Sequence, residues 1–132
     1  MERSTLRLAG WLLAPLLLAA PLSARAAEPS PVTIKVMTFN IWLGGDQVSF
    51  QKVIEAIKAA DADIVCLQEA GGQTARIAAA LGWNYAVPGR HVIARVPLFA
   101  PQAASRGADG NDLNTVYAEV EPGRFVAVAN VH

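Results

Sequence analysis

The segment Asp63-Ile64-Val65-Cys66-Leu67-Gln68-Glu69 sets the fold of this chain. Its four consecutive apolar residues, Ile64 to Leu67, are too few for a helix and suit a strand covered on both sides. Upstream, Phe50, Val53, Ile54 and Ile57 recur at helical spacing, which predicts a helix over 47–60 with Asp46 or Ser49 as its N-cap. Before that helix, residues 32–43 are rich in β-branched and aromatic side chains. They read as a strand buried on both faces that ends at Gly44-Gly45-Asp46. Strand, helix, strand is a βαβ unit, and such crossovers join parallel strands. The carboxyl ends of both strands therefore share one edge of the sheet, and Asn40 and Glu69 both fall at or near it.

Downstream, the pattern predicts a second helix over 73–81, closed by Gly82 as a left-handed cap. Residues 83–87 and 91–96 read as short strands divided by Pro88-Gly89, and 99–112 as a long loop. Residues 113–132 read as two strands around the turn Glu121-Pro122-Gly123-Arg124. In the last strand Val126, Val128, Asn130 and His132 share one face, and Phe125, Ala127, Ala129 and Val131 the other.

At the amino terminus Arg3 and Arg7 precede an apolar run over 8–22 that Gly10, Pro15 and Pro21 interrupt. The run is shorter than the roughly 20 residues that cross a bilayer. Followed by Ala24-Arg25-Ala26, it has the form of a secretory signal peptide cleaved after Ala26. The expected organisation is a leader over 1–26 and one domain over 27–132, secreted or periplasmic, with no transmembrane segment and no stable protein partner. The whole sequence has a formal net charge of zero; without Arg3, Arg7, Arg25 and Glu2, eight basic residues face ten acidic ones, a net charge of −2. That balance lacks the basic excess of a nucleic-acid-binding domain. The apolar fraction of 53% excludes a disordered chain. A single cysteine, Cys66, allows no internal disulfide and reads as a small buried hydrophobe.

Open α/β sheets bind ligands outside the carboxyl ends of their strands. Three polar residues follow apolar runs at such positions: Asn40 after Val36-Met37-Thr38-Phe39, Glu69 after Ile64-Val65-Cys66-Leu67-Gln68, and His132 at the end of the last strand. A carboxylate there is costly to bury alone, whereas a hard cation such as Mg²⁺ offers its oxygens a partner. An Asn can orient that carboxylate or a phosphate oxygen, and a His can donate to the same phosphate or move a proton. Taken singly, Asn40 also fits a turn residue, Glu69 a solvated strand end and His132 a frayed terminus. No phosphate-binding glycine loop, HExxH, GxSxG or paired CxxC occurs.

In order along the chain, Met37-Thr38-Phe39-Asn40-Ile41-Trp42, Asp63-Ile64-Val65-Cys66-Leu67-Gln68-Glu69 and Asn130-Val131-His132 resemble the first three signature motifs of the endonuclease/exonuclease/phosphatase superfamily. Between them, Ile93-Ala94-Arg95-Val96-Pro97-Leu98 looks like the family's Ser-Arg-aromatic-Pro-Ile pattern, from which Ala94 and Val96 depart. The resemblance implies a two-sheet α/β sandwich and hydrolysis of a phosphoester by water with Mg²⁺, or Mn²⁺ in its place. It also assigns roles: Glu69 as metal ligand, Asn40 as a catalytic residue holding the phosphate or the metal, His132 as a catalytic donor to a phosphate oxygen, and Arg95 as a substrate-phosphate contact. His91 matches no motif and reads as a surface strand residue; Trp42 and Trp83 read as core or rim residues.

The family's later motifs, Gly-Asp-x-Asn and a terminal Ser-Asp-His, carry the water-activating Asp and a second His. Neither occurs in these 132 residues. The expectation is therefore the first half of such a sandwich, with an incomplete catalytic set and no activity by itself. The substrate stays open among nucleic acid, a phospholipid headgroup and a small phosphoester. Two other readings are a non-catalytic secreted α/β binding module and a small α/β ligand-binding protein.

Overall fold

The computed structural model describes residues 30–47, 49–101 and 114–132. The expected leader and most of the expected loop over 99–112 lie outside these residues. The chain divides into Met1–Ser30 and Pro31–His132, and the second unit carries the elements described below.

The βαβ unit forms as the sequence pattern requires. Strand β1 (Val36–Asn40) and strand β2 (Ile64–Gln68) pair in parallel, in register from Val36 opposite Ile64 to Asn40 opposite Gln68. Helix α1 (Phe50–Ala60) joins them and buries Val53, Ile54 and Ile57. It starts at Phe50 rather than at 47, because Leu43–Gly45 take a tight turn closed by the Asp46 amide on the Leu43 carbonyl. Ser49 does hold the N-cap position, but its hydroxyl makes no capping bond.

Helix α2 (Thr74–Leu81) ends at Gly82, which has a φ of 73° and caps it as expected. Strands β3 (Tyr85–Val87) and β4 (Val92–Ala94) form an antiparallel pair around the Pro88–Arg90 turn. Strand β4 then adds to β2 in the antiparallel sense, giving a four-stranded sheet in the order β1-β2-β4-β3. Strand β5 (Leu98–Phe99), β6 (Thr115–Glu121) and β7 (Arg124–Ala129) make a second, antiparallel sheet in that order. Leu98 and Phe99 thus leave the expected loop to pair with Ala118 and Tyr117.

Strand β2 is the centre of the molecule, as its unbroken apolar run implied: all five of its residues are buried. Alternation along it feeds two cores. Val65 and Leu67 face α1 and α2 with Ile54, Ile57, Ile77 and Ile93. Ile64 and Cys66 face the second sheet with Val92, Val116, Ala118 and Val128. The two-sheet α/β architecture is therefore present, with a helical layer on the outer face of the first sheet. Burial also raises the Cys66 thiol pKa, in keeping with its place in the core.

Strand β1 departs from expectation. It is an edge of its sheet, and Val36, Thr38 and Asn40 are exposed while Met37 and Phe39 are half-buried. Its apolar composition serves one face only, where Met37 and Phe39 pack on the helical core. In β7 the expected alternation holds: Val126 and Val128 pack into the inter-sheet core, and Phe125, Ala127 and Ala129 are exposed. Among the described residues no helix is long and apolar enough to cross a membrane.

Candidate functional site

Parallel pairing places the exits of β1 and β2 side by side, and the site grows from that fact. Asn40 ends β1, and Glu69 is the first residue past β2. The Asn40 amide Nδ2 donates to Glu69 Oε1 at 2.8 Å. His132 arrives from the second sheet, past the end of β7, with Nε2 3.4 Å from both Glu69 Oε1 and Asn40 Nδ2. Residues 92 positions apart thus meet around one carboxylate.

The backbone here is bent into conformations that side chains other than glycine resist. Glu69 has a φ of 54°, and Trp42 and Leu43 have φ of 46° and 50°. Each such residue costs roughly 1–3 kcal/mol and persists only where its surroundings over-determine it. The surroundings do so: the Trp42 amide donates to Asn40 Oδ1 at 2.9 Å, the Leu43 amide to Glu69 Oε2 at 3.4 Å, and the Gly44 amide to the Glu69 carbonyl at 2.7 Å. The 42–45 turn is thereby tied down over Glu69. Gly45, with a φ of 83°, is required there, since a Cβ would lie 3.0 Å from Val53 Cγ2.

These donors set the charge of Glu69. The Asn40 amide, followed by the Leu43 amide and the nearby His132, holds its carboxyl below the usual carboxylate range against a small opposing effect of burial. The group is ionised at neutral pH and loses its charge only in acid below that range. Two clefts flank it. One, of about 460 Å³, runs past Leu43, Gly44 and Gly71 to Gln73. The other, of about 300 Å³, is polar and lined by Glu69, His91, Asn130 and His132 among others.

Of the residues singled out from the sequence, the structure brings Asn40, Glu69 and His132 together. It places Arg95 elsewhere. Because β4 runs antiparallel to β2, its carboxyl end lies at the opposite edge of the sheet, where the Arg95 amide donates to the Asp63 carbonyl. The Arg95 guanidinium is 2.9 Å from Asp61 and 3.7 Å from Asp63, and lies over Trp83 at 5.4 Å from the ring centroid. Lys35 Nζ also reaches Asp61, at 2.6 Å. Arg95 thus belongs to an ion-pair cluster about one strand length from Glu69, roughly 15–20 Å at 3.3 Å per residue.

His91 is not a surface strand residue. It sits before β4 with a φ of 52°, its Nδ1 2.9 Å from the buried Thr74 hydroxyl, on the wall of the polar cleft. Sequence reasoning also passed over Gln68 and Asn130. Gln68 is 8% exposed, and its Nε2 donates to Thr38 Oγ1 at 3.0 Å and Asn130 Oδ1 at 2.8 Å. The signal was available: an amide side chain closing an otherwise apolar buried strand needs a polar partner.

Among the described residues no three acidic, His or Cys side chains cluster as a cage for a metal ion. The donor set fits Mg²⁺ in its usual protein mode. That ion is commonly held by one or two carboxylates, keeps several waters and shares its shell with substrate phosphate. Glu69 supplies an ionised carboxylate at a cleft mouth, and each of its oxygens retains acceptor capacity beyond the single donor it now accepts.

The model of the Endonuclease/Exonuclease/phosphatase family matches residues 37–129, from the second residue of β1 to the last of β7. No curated protein and no solved structure matches the chain.

Proposed function

The chain belongs to the endonuclease/exonuclease/phosphatase family, whose members hydrolyse phosphoester bonds, and we propose that Glu69, Asn40 and His132 are the metal- and phosphate-contacting part of an exported, Mg²⁺-dependent phosphoesterase. The observation that carries this reading is the meeting of an ionised carboxylate, an amide and an imidazole within 3.4 Å at the carboxyl edge of a parallel strand pair.

Each residue has a task that its contacts support. Asn40 Nδ2 fixes Glu69 Oε1, so the carboxylate is oriented before substrate arrives. Glu69 would hold the cation, with Asn40 beside it. A divalent ion bound there supplies neutralisation of charge that builds on the phosphoryl oxygens and the leaving group. His132, with its ring at the mouth of the polar cleft, donates Nε2–H to a phosphoryl oxygen. The attack on phosphorus is by water, in line with the leaving oxygen. The water-activating Asp of the resembling motifs is not among these 132 residues, so they supply binding and charge stabilisation rather than the complete catalytic set.

Protein expressed from the complete reading frame should hydrolyse bis(p-nitrophenyl) phosphate, lose the activity to EDTA and regain it on addition of Mg²⁺ or Mn²⁺. Turnover that survives EDTA would remove the metal from the proposal, and binding without turnover under either ion would favour a binding module.

Export rests on Arg3, Arg7, the 8–22 apolar run and Ala24-Arg25-Ala26. Amino-terminal sequencing of protein recovered outside the cytoplasm should begin at Ala27. An intact Met1 terminus on cytosolic protein would overturn this part of the reading.

A further inference from the structure

The two sheets meet at the functional edge through one pair of amide side chains. Asn130 lies one residue past β7, between the second sheet and His132. Its Nδ2 donates to the Leu67 carbonyl at 2.9 Å, the Arg90 carbonyl at 2.9 Å and, more weakly, the His91 carbonyl at 3.4 Å. Its Oδ1 accepts from Gln68 Nε2 at 2.8 Å, and Gln68 in turn reaches Thr38 Oγ1 in β1 and the Cys66 carbonyl in β2. Its backbone amide donates to the Asn114 carbonyl beside β6 at 3.0 Å. One amide pair therefore spans β1, β2, the 88–91 turn and the end of β7, and among the described residues no buried side-chain polar atom lacks a partner.

The sequence places this pair next to the groups that matter. Gln68 is bonded through the main chain to Glu69, and Asn130 is separated from His132 by Val131 alone. Val131 cannot fix His132 by packing, being 72% exposed, and the His132 side chain is itself 63% exposed. What holds the imidazole 3.4 Å from Glu69 is the anchoring of Asn130, two residues before it. We propose that Gln68 and Asn130 are positioning residues whose amide pair sets the separation of the Glu69 carboxylate and the His132 imidazole. This inference rests on the proposed phosphate-contacting role of those two groups. The amides touch no substrate; they act through the residues beside them. Asn130 and His132 both lie beyond the 37–129 span matched by the family model, so the assignment comes from the geometry alone.

The test is a double-mutant cycle with inorganic phosphate as probe, in the 132-residue chain with Mg²⁺ present. Asn130→Ala and His132→Ala should each weaken phosphate binding about tenfold by calorimetry, and the double variant should bind no more weakly than His132→Ala. That non-additivity is the signature of a residue acting through another. Additive losses would show that Asn130 contributes only general stability and would overturn the inference. A second readout is independent of phosphate: the His132 ring carbon–proton resonance should be single in the parent and broadened or shifted in Asn130→Ala. If the parent chain binds no phosphate, the proposed function fails at His132, whereas an unchanged His132 resonance overturns the positioning role. Should Asn130→Ala not fold, Gln68→Met keeps the buried volume, removes the donor to Asn130 Oδ1 and is read in the same two ways.

Discussion

Glu69→Gln should lower phosphodiester turnover at least about 100-fold while leaving the fold intact, since a preorganised charged group at a reacting centre commonly contributes that much. The substitution keeps the length and shape of the side chain, and its amide oxygen can still accept from Asn40 Nδ2 as Oε1 does at 2.8 Å. What it removes is the charge that would hold a hard cation. The same variant should weaken Mn²⁺ binding, measured by electron paramagnetic resonance, because a neutral oxygen is a poorer partner for such an ion. Thermal unfolding should change little, for the carboxylate sits at a cleft mouth rather than within either core. Turnover and Mn²⁺ affinity equal to the parent's would take Glu69 out of the site.

Leu67→Ala should be the most destabilising change at the centre of the fold. Leu67 is 1% exposed, lies opposite Phe39 of β1 and packs in the helical core with Ile54, Ile57 and Ile77. Truncating a buried Leu to Ala costs about 2–5 kcal/mol through lost transfer energy and the cavity left behind. Against the roughly 5–15 kcal/mol by which a domain of this size is usually stable, the loss is a large share of the whole. Urea unfolding should therefore shift to a much lower midpoint with the slope unchanged. By contrast, Phe125→Ala, at a residue 51% exposed on the outer face of the second sheet, should cost far less. Equal costs for the two would mean that burial along β2 does not govern stability.

Local pattern carried much of this protein. The unbroken apolar run Ile64 to Leu67 required a strand covered on both faces, and the helical spacing of Val53, Ile54 and Ile57 required a helix before it. A parallel crossover between strands then follows from chain geometry, and with it the adjacency of Asn40 and Glu69, 2.8 Å apart through the Asn40 amide. The exact alternation of β7 likewise named which of its residues enter the inter-sheet core.

What the pattern left undetermined is the direction and depth of each strand in the sheet, because periodicity along a segment says nothing about its neighbours. Arg95 shows this most clearly: had β4 run parallel to β2, Arg95 would stand beside Glu69, but the antiparallel pairing carries it to Asp61 and Asp63 at the far edge. The same reversal brings His91, which no motif marked, to the wall of the polar cleft. Strand β1 looked doubly buried from its composition, yet it is an edge strand, since burial depends on what packs against each face. The sequence alone determined the two parallel strand exits and the polar residues that stand on them. Only the tertiary structure decided that His132 joins them, because its approach depends on Asn130 bonding across to Leu67, Arg90 and Gln68, contacts 40 to 63 residues apart that no local periodicity encodes.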